Sequence, residues 1–141
     1  MNPYNAYAAA TTMTDEQDKG KILLMVLETL TRKIEEVKML IAQKKYEKKC
    51  QELTRIVQAL QFLDASLDMT LGEIPKNLSL LYGYLMRRLQ EVHANLDVGT
   101  LDECKSILTT ISEGFAEAYQ MQKRRTHAVA AAENRPSGRM V

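Results

Sequence analysis

The side chains able to do chemistry in this 141-residue sequence are few and far apart: two histidines, His93 and His127, and two cysteines, Cys50 and Cys104. Zinc hydrolysis and di-iron chemistry on helices need HExxH or ExxH, because residues three or four apart stack their ligand atoms on one helix face. Neither histidine lies in such a pattern, so no metal and no other cofactor is expected. The phosphate-binding GxxxxGK[ST] and GxGxxG loops and the GxSxG nucleophile turn do not occur either. Carboxylates are numerous, but Glu35 and Glu36 alternate with Lys33 and Lys38, the pattern of a solvated helix face rather than of paired catalytic acids. Bundle phosphotransfer domains carry a reactive exposed histidine closely followed by Lys-Gly, whereas His93 is followed by Ala94, Asn95 and Leu96. It falls one turn beyond Leu89, where a half-buried structural histidine is expected; acid-labile phosphate on His93 would mark the alternative. The cysteines form no CxxC pair and both take apolar positions, so both are expected to act as small core hydrophobes. Lys123, Arg124 and Arg125 suit a helix C-terminus, where cations meet the negative end of the helix dipole. No catalytic residue is assigned, and the chain reads as a non-enzymatic binding protein.

The elements that hold these residues follow from apolar periodicity. Residues 1–14 show no sustained pattern and are expected to form a flexible arm. The first helix has two candidate caps: Thr14, with Gln17 completing a capping box, or Asp18. Leu23, Val26, Leu27, Leu30, Ile34, Val37 and Ile41 then recur at helical spacing. A turn is expected over residues 43–46. The second helix carries Leu53, Ile56, Val57, Leu60, Leu63 and Leu67, and should stop near Thr70, before Gly72. Pro75 sits where a first helical turn tolerates proline, and Ile74, Leu78, Leu81, Leu85, Leu89 and Val92 continue the third stripe. A break is expected over residues 95–99. Thr100 with Glu103 reads as a capping box for a fourth helix bearing Leu101, Cys104, Leu108, Ile111, Phe115 and Ala118. The expected organisation is an all-α, antiparallel four-helix bundle over residues 15–122, with a basic tail over 123–141 left open between helix and coil.

Charge narrows the partners. Nineteen Lys and Arg against eighteen Asp and Glu leave a net +1, which argues against nucleic acid, whose binding rests on phosphate neutralisation. No apolar run approaches the roughly 20 residues of a membrane span, and no signal peptide is evident, so a cytoplasmic protein is expected. Apolar residues nevertheless exceed what the core stripes use. At about 100° per residue, Phe62 and Met69 fall opposite the second stripe, and Leu80 and Tyr84 opposite the third. Met25 and Met39 leave the first, whereas the fourth helix keeps its bulky apolar residues near the core. Scattered surface residues, packing against the chain's own arm, pairing with a second copy and a groove for a partner helix all remain open.

The stretch LDASLDMTLGEIPKNLSLLYGYLMRRL, residues 63–89, resembles the central signature of the FliS family, the bacterial flagellin export chaperones. The matching residues are Ser66, Leu67 and Asp68, then Gly72 and Ile74, then Asn77, Leu78, Leu81, Tyr82, Tyr84, Arg88 and Leu89. Asn5-Ala6-Tyr7 is similar to the family's opening motif, and the likeness runs to about Ala118. There are departures: Asp18-Lys19 stands where Ser-Pro is usual, Leu27-Glu28-Thr29 replaces a Tyr-Asp-Gly step, and Pro75 takes the place of a small residue. The resemblance implies a chaperone that binds the disordered C-terminal segment of flagellin, prevents premature polymerisation and hands the subunit to the export apparatus, with other flagellar regulators as further partners. On this reading the surplus apolar residues Met25, Phe62, Met69, Leu80 and Tyr84 are the expected partner contacts, while Asn77 and Tyr82 are expected to serve the helix start and interhelical packing. It also implies that Tyr7, with Tyr4, folds back over the apolar track as a weak plug. A self-associating structural bundle is the competing reading, with a monomer or weak homodimer expected in solution.

Overall fold

A computed structural model describes residues 16–133. Four helices follow in order: α1 (Glu16–Ala42), α2 (Tyr46–Ala65), α3 (Glu73–Asn95) and α4 (Val98–Glu133), with a single 3-10 turn, Met69–Leu71, between α2 and α3. Each helix packs on its two neighbours, α4 closing against α1. Ion pairs fix the register of that closing seam. Lys105 Nζ lies 2.8 Å from Glu35 and Lys38 Nζ 2.6 Å from Asp102, so α1 and α4 run in opposite directions. The fold is the expected antiparallel four-helix bundle.

The core is one apolar layer system. Val26, Leu27, Leu30, Ile34 and Val37 of α1 meet Leu53, Ile56, Leu60 and Leu63 of α2, Leu85, Leu89 and Val92 of α3, and Leu101, Cys104 and Leu108 of α4, all closed to solvent. Tyr82 is also fully buried, a large side chain in a layer where the aliphatic stripes leave room. Leu23, Ile41, Leu67, Leu78 and Phe115 are only partly buried and pack on the rim of this core.

Several local expectations are corrected. Helix α2 ends at Ala65 rather than near Thr70, because the Ser66 hydroxyl turns back onto the Leu63 carbonyl at 2.9 Å. Asp68 then caps the 3-10 turn, accepting the Thr70 N–H at 3.0 Å. Gly72 (φ 99°) precedes α3 rather than ending α2, and this conformation is where a side chain would be strained. The left-handed cap at the end of α3 is Leu96. Helix α4 starts two residues before Thr100, and its cap is Asp97, whose Oδ1 accepts the Gly99 N–H at 2.9 Å while Oδ2 accepts the Thr100 hydroxyl at 3.2 Å. Asp18 lies inside α1 and so is no cap; Thr14 lies outside the described residues.

Four stripe members are not in the core. Ile74 is 74% exposed, since the first turn of α3 buries Pro75 instead. Leu81 yields its place to Tyr82, and Ala118 lies on the outer side of α4. Cys50 is exposed while Cys104 is buried. At that level of α2 the buried neighbour is Lys49, whose Nζ donates to the His93 carbonyl at 3.3 Å. Its methylene stem fills the layer while the ammonium satisfies a carbonyl near the end of α3, where cations are favoured. After Gln122, which the sequence left undecided, α4 stays helical to Glu133, and every side chain from Gln120 onward is exposed.

Candidate partner-binding surface

The end of the bundle opposite the α1–α2 turn carries the three most exposed large apolar side chains among the described residues, Ile74, Leu71 and Leu80. Met69 and Leu71 project from the 3-10 turn at 47% and 73% exposure, Ile74 and Leu80 from α3 at 74% and 73%. Ile74 and Leu81 are seven residues apart, so they stack on one face of α3, with Leu80 turned outward beside them. Phe62 and Met25 are also exposed, though less so. Lys33 pairs with Glu52 across α1 and α2 at 3.1 Å. Counting from that pair in opposite directions brings Met25 and Phe62 to nearly one level of the α1–α2 seam, at a rise of about 1.5 Å per residue.

The expected contacts therefore do not form one flat strip. Met25 and Phe62 lie nearly level on α1 and α2, whereas Met69 and Leu71 of the 3-10 turn and Ile74, Leu80 and Leu81 of the first turns of α3 form a corner at that end of the bundle. Leu71 and Ile74 were missed as surface candidates: Ile74 obeys the core stripe, and only its place beyond the end of the core exposes it. Met39, Met121 and Val129 are exposed as well, Met39 near the α1–α2 turn and the last two on α4. Met121 thus departs from the expectation that the fourth helix keeps its bulky apolar residues near the core, and Val129 lies in the stretch left open between helix and coil.

Tyr84 differs from the other candidates. It is half-buried, and its hydroxyl donates to Glu103 Oε1 across the α3–α4 seam. Arg88 joins the same carboxylate through Nε at 3.3 Å, reaches the Thr100 hydroxyl at 3.3 Å, and pairs with Glu91 at 2.6 Å. The Tyr84 bond, then Arg88, hold the Glu103 carboxyl below its usual range, and the same bond pushes the Tyr84 phenol up. Tyr84, Arg88 and Glu103 therefore tie α3 to α4. Asn77 is exposed on the first turns of α3, and Tyr82 is core. Tyr7 and Tyr4 lie outside the described residues.

The remaining polar groups serve the fold. Burial, then Lys49, pulls the half-buried His93 below its usual value. Burial pushes the Cys104 thiol up to about 11. Among the described residues no cluster of His, Cys, Asp or Glu is arranged to hold a metal, and no helix is long and apolar enough to cross a membrane.

What this geometry offers is an apolar corner without reactive groups beside it. The sequence profile of the family described as flagellar protein FliS matches residues 1–122. The chain belongs to the FliS family. It is also similar to the protein named flagellar secretion chaperone FliS of Bacillus subtilis (strain 168), at 25% identity over 127 residues, covering 90% of this chain and 93% of that one. The match to the FliS family stops at Gln122, so the exposed last turns of α4 lie beyond it.

Proposed function

We propose that this FliS-family protein is a non-enzymatic secretion chaperone that binds the disordered C-terminal segment of flagellin in the cytoplasm, keeps it from polymerising, and passes it to the export apparatus. The observation that carries this reading is the corner of Met69, Leu71, Ile74 and Leu80, apolar side chains left largely in water by a bundle whose core is complete without them. Covering such surface is favourable by about 25 cal/mol per Å². A segment that folds as it binds spends about 2–5 kcal/mol or more on ordering, so it needs several apolar anchors spread along its length. The corner, with Met25 and Phe62, supplies anchors on three helices and the 3-10 turn. Binding that is weak for its area also suits a chaperone that must release its client.

The test is to mix the protein with a peptide covering a flagellin C-terminus and to measure helicity by circular dichroism and mass by sedimentation. A 1:1 complex with more helix than the sum of its parts supports the reading. A peptide that stays unbound and unfolded refutes it. Sedimentation of the protein alone at two concentrations checks the competing reading, in which the same corner pairs with a second copy.

A further inference from the structure

Helices α1 and α4 keep one register over the length of their seam. Lys105 meets Glu35 and Lys38 meets Asp102, and in both pairs the residue numbers add to 140. Towards the other end Gly20 packs on Tyr119 in nearly the same register: a Cβ on Gly20 would stand 3.4 Å from the Tyr119 ring. Glu16, where α1 begins, is therefore level with Arg124. Helix α4 does not stop there. It runs on for nine residues to Glu133, about 14 Å at 1.5 Å per residue, and every side chain of that stretch is exposed. The other two helices end lower. The Lys33–Glu52 pair sets Ala65, the last residue of α2, level with Gly20, and the Arg88–Thr100 bond sets the start of α3 lower still. The far end of α4 thus stands alone among the described residues, although helices in proteins draw most of their stability from packing on neighbours.

The chain itself can supply the neighbour. Residues 1–15 lie outside the described residues, and they join α1 at Glu16, beside the lone stretch of α4. Their sequence favours a helix. Asn2 followed by Pro3 is a cap and a first-turn residue. Ala6, Ala8, Ala9 and Ala10 are the best helix formers, and Asp15 is the one charged side chain. Gly20 marks the side of α1 that faces α4. Counting back from it at about 100° per residue, Met13, Ala9 and Ala6 return to within about 40° of that side. Counting on from Tyr119 along α4 in the same way brings up Thr126 and Ala130. The shared register then sets Met13 beside Thr126 and Ala9 beside Ala130. Small side chains on both helices allow a close approach.

We propose that α1 runs back to Pro3 and covers the lone stretch of α4, so that the α1–α4 seam continues past the ends of the other two helices. The segment is then a brace for the end of α4 and not a plug over the apolar track. A straight continuation lifts Tyr7 about 20 Å beyond the level of Ala65. The corner of Met69, Leu71, Ile74 and Leu80 therefore stays open in the free protein.

The experiment uses the full chain with Cys50→Ser and one nitroxide-bearing cysteine, read by nuclear magnetic resonance; buried Cys104 stays unlabelled. A label at Ala131→Cys should broaden the amides of Ala6, Ala9 and Met13. One at Asn77→Cys, on α3, should leave them sharp. Amide exchange at Ala8, Ala9, Ala10 and Met13 should be slower than in an open chain by about tenfold or more. Thr126→Lys together with Ala130→Lys puts long side chains on the contacting face of α4 and should abolish that protection. Unchanged exchange at Leu108 checks that the bundle stays folded. Exchange as fast as in an open chain overturns the proposal, as does protection that survives the double variant. Broadening of Tyr7 by the label on α3 would set the segment over the corner and overturn it too. So would broadening that persists with label and isotope on different molecules, which makes a second copy the neighbour. None of these readings involves flagellin, so the outcome is separate from that of the apolar corner.

Discussion

Replacing Leu80 and Ile74 together by alanine isolates what the apolar corner contributes. The side chains are 73% and 74% exposed in the free protein. Fully burying a Leu or Ile is worth about 1.5–3 kcal/mol, so covering the exposed three quarters recovers about 1–2 kcal/mol each. Alanine keeps about a third of that, which leaves a combined loss of about 1.5–3 kcal/mol, or about 10- to 150-fold in affinity. The fold should hardly notice, because neither side chain is part of the core and alanine is the better helix former; stability should stay within about 0.5 kcal/mol. Titration calorimetry with a flagellin C-terminal peptide reads the first quantity and urea unfolding the second. Leu89→Ala is the contrasting control: this fully buried side chain should cost about 2–5 kcal/mol of stability, while its absence from the surface leaves the binding of still-folded protein close to normal. Unchanged affinity in the double variant would refute the reasoning, as would an equal loss from Met39→Ala, which alters an exposed apolar residue at the opposite end of the bundle, three residues before α1 ends.

Three further outcomes follow from the same structure. Asp97→Ala removes the acceptor for the Gly99 N–H and the Thr100 hydroxyl and should lower stability by about 1 kcal/mol, read by urea unfolding. The Glu103 carboxyl is held low by Tyr84 and Arg88, so its contribution is complete above the ordinary glutamate value of about 4.3 and is lost as the pH falls through the lower folded value. Tyr84→Phe should therefore flatten the acid limb of the stability profile, an effect that thermal melts between pH 2 and 6, as a rough working range, would register. A thiol reagent should modify exposed Cys50 quickly, whereas Cys104, buried and with its thiol pushed up to about 11, should react only at the rate of unfolding.

Helix positions and most of the core were legible in the sequence because the apolar stripes are long and regular; Leu27, Leu30, Ile56, Leu60, Leu85 and Leu108 all take their expected places. What periodicity does not carry is where the neighbouring helices end. Ile74 follows the stripe of α3 but lies past the last core layer, and Lys49 breaks the pattern of α2 yet is buried because the His93 carbonyl needs a donor. Caps depend on one or two hydrogen bonds, and Thr100 and Asp97 both satisfy the sequence rule. Only the backbone decides for Asp97. Tyr84 reads as apolar surplus in one helix, and its hydrogen bond to Glu103 depends on a second helix that the sequence pattern of α3 cannot reveal.

Methyl resonances measure the central claim most directly, since the proposed contacts are themselves methyl-bearing. In a complex with a flagellin C-terminal peptide, the methyls of Met69, Leu71, Ile74 and Leu80 should shift and lose exposure to a soluble paramagnetic agent. That of Met39, exposed at the opposite end of the bundle, should stay as it is. Bound peptide that leaves the corner methyls unmoved, or that moves only that of Met39, would contradict the account.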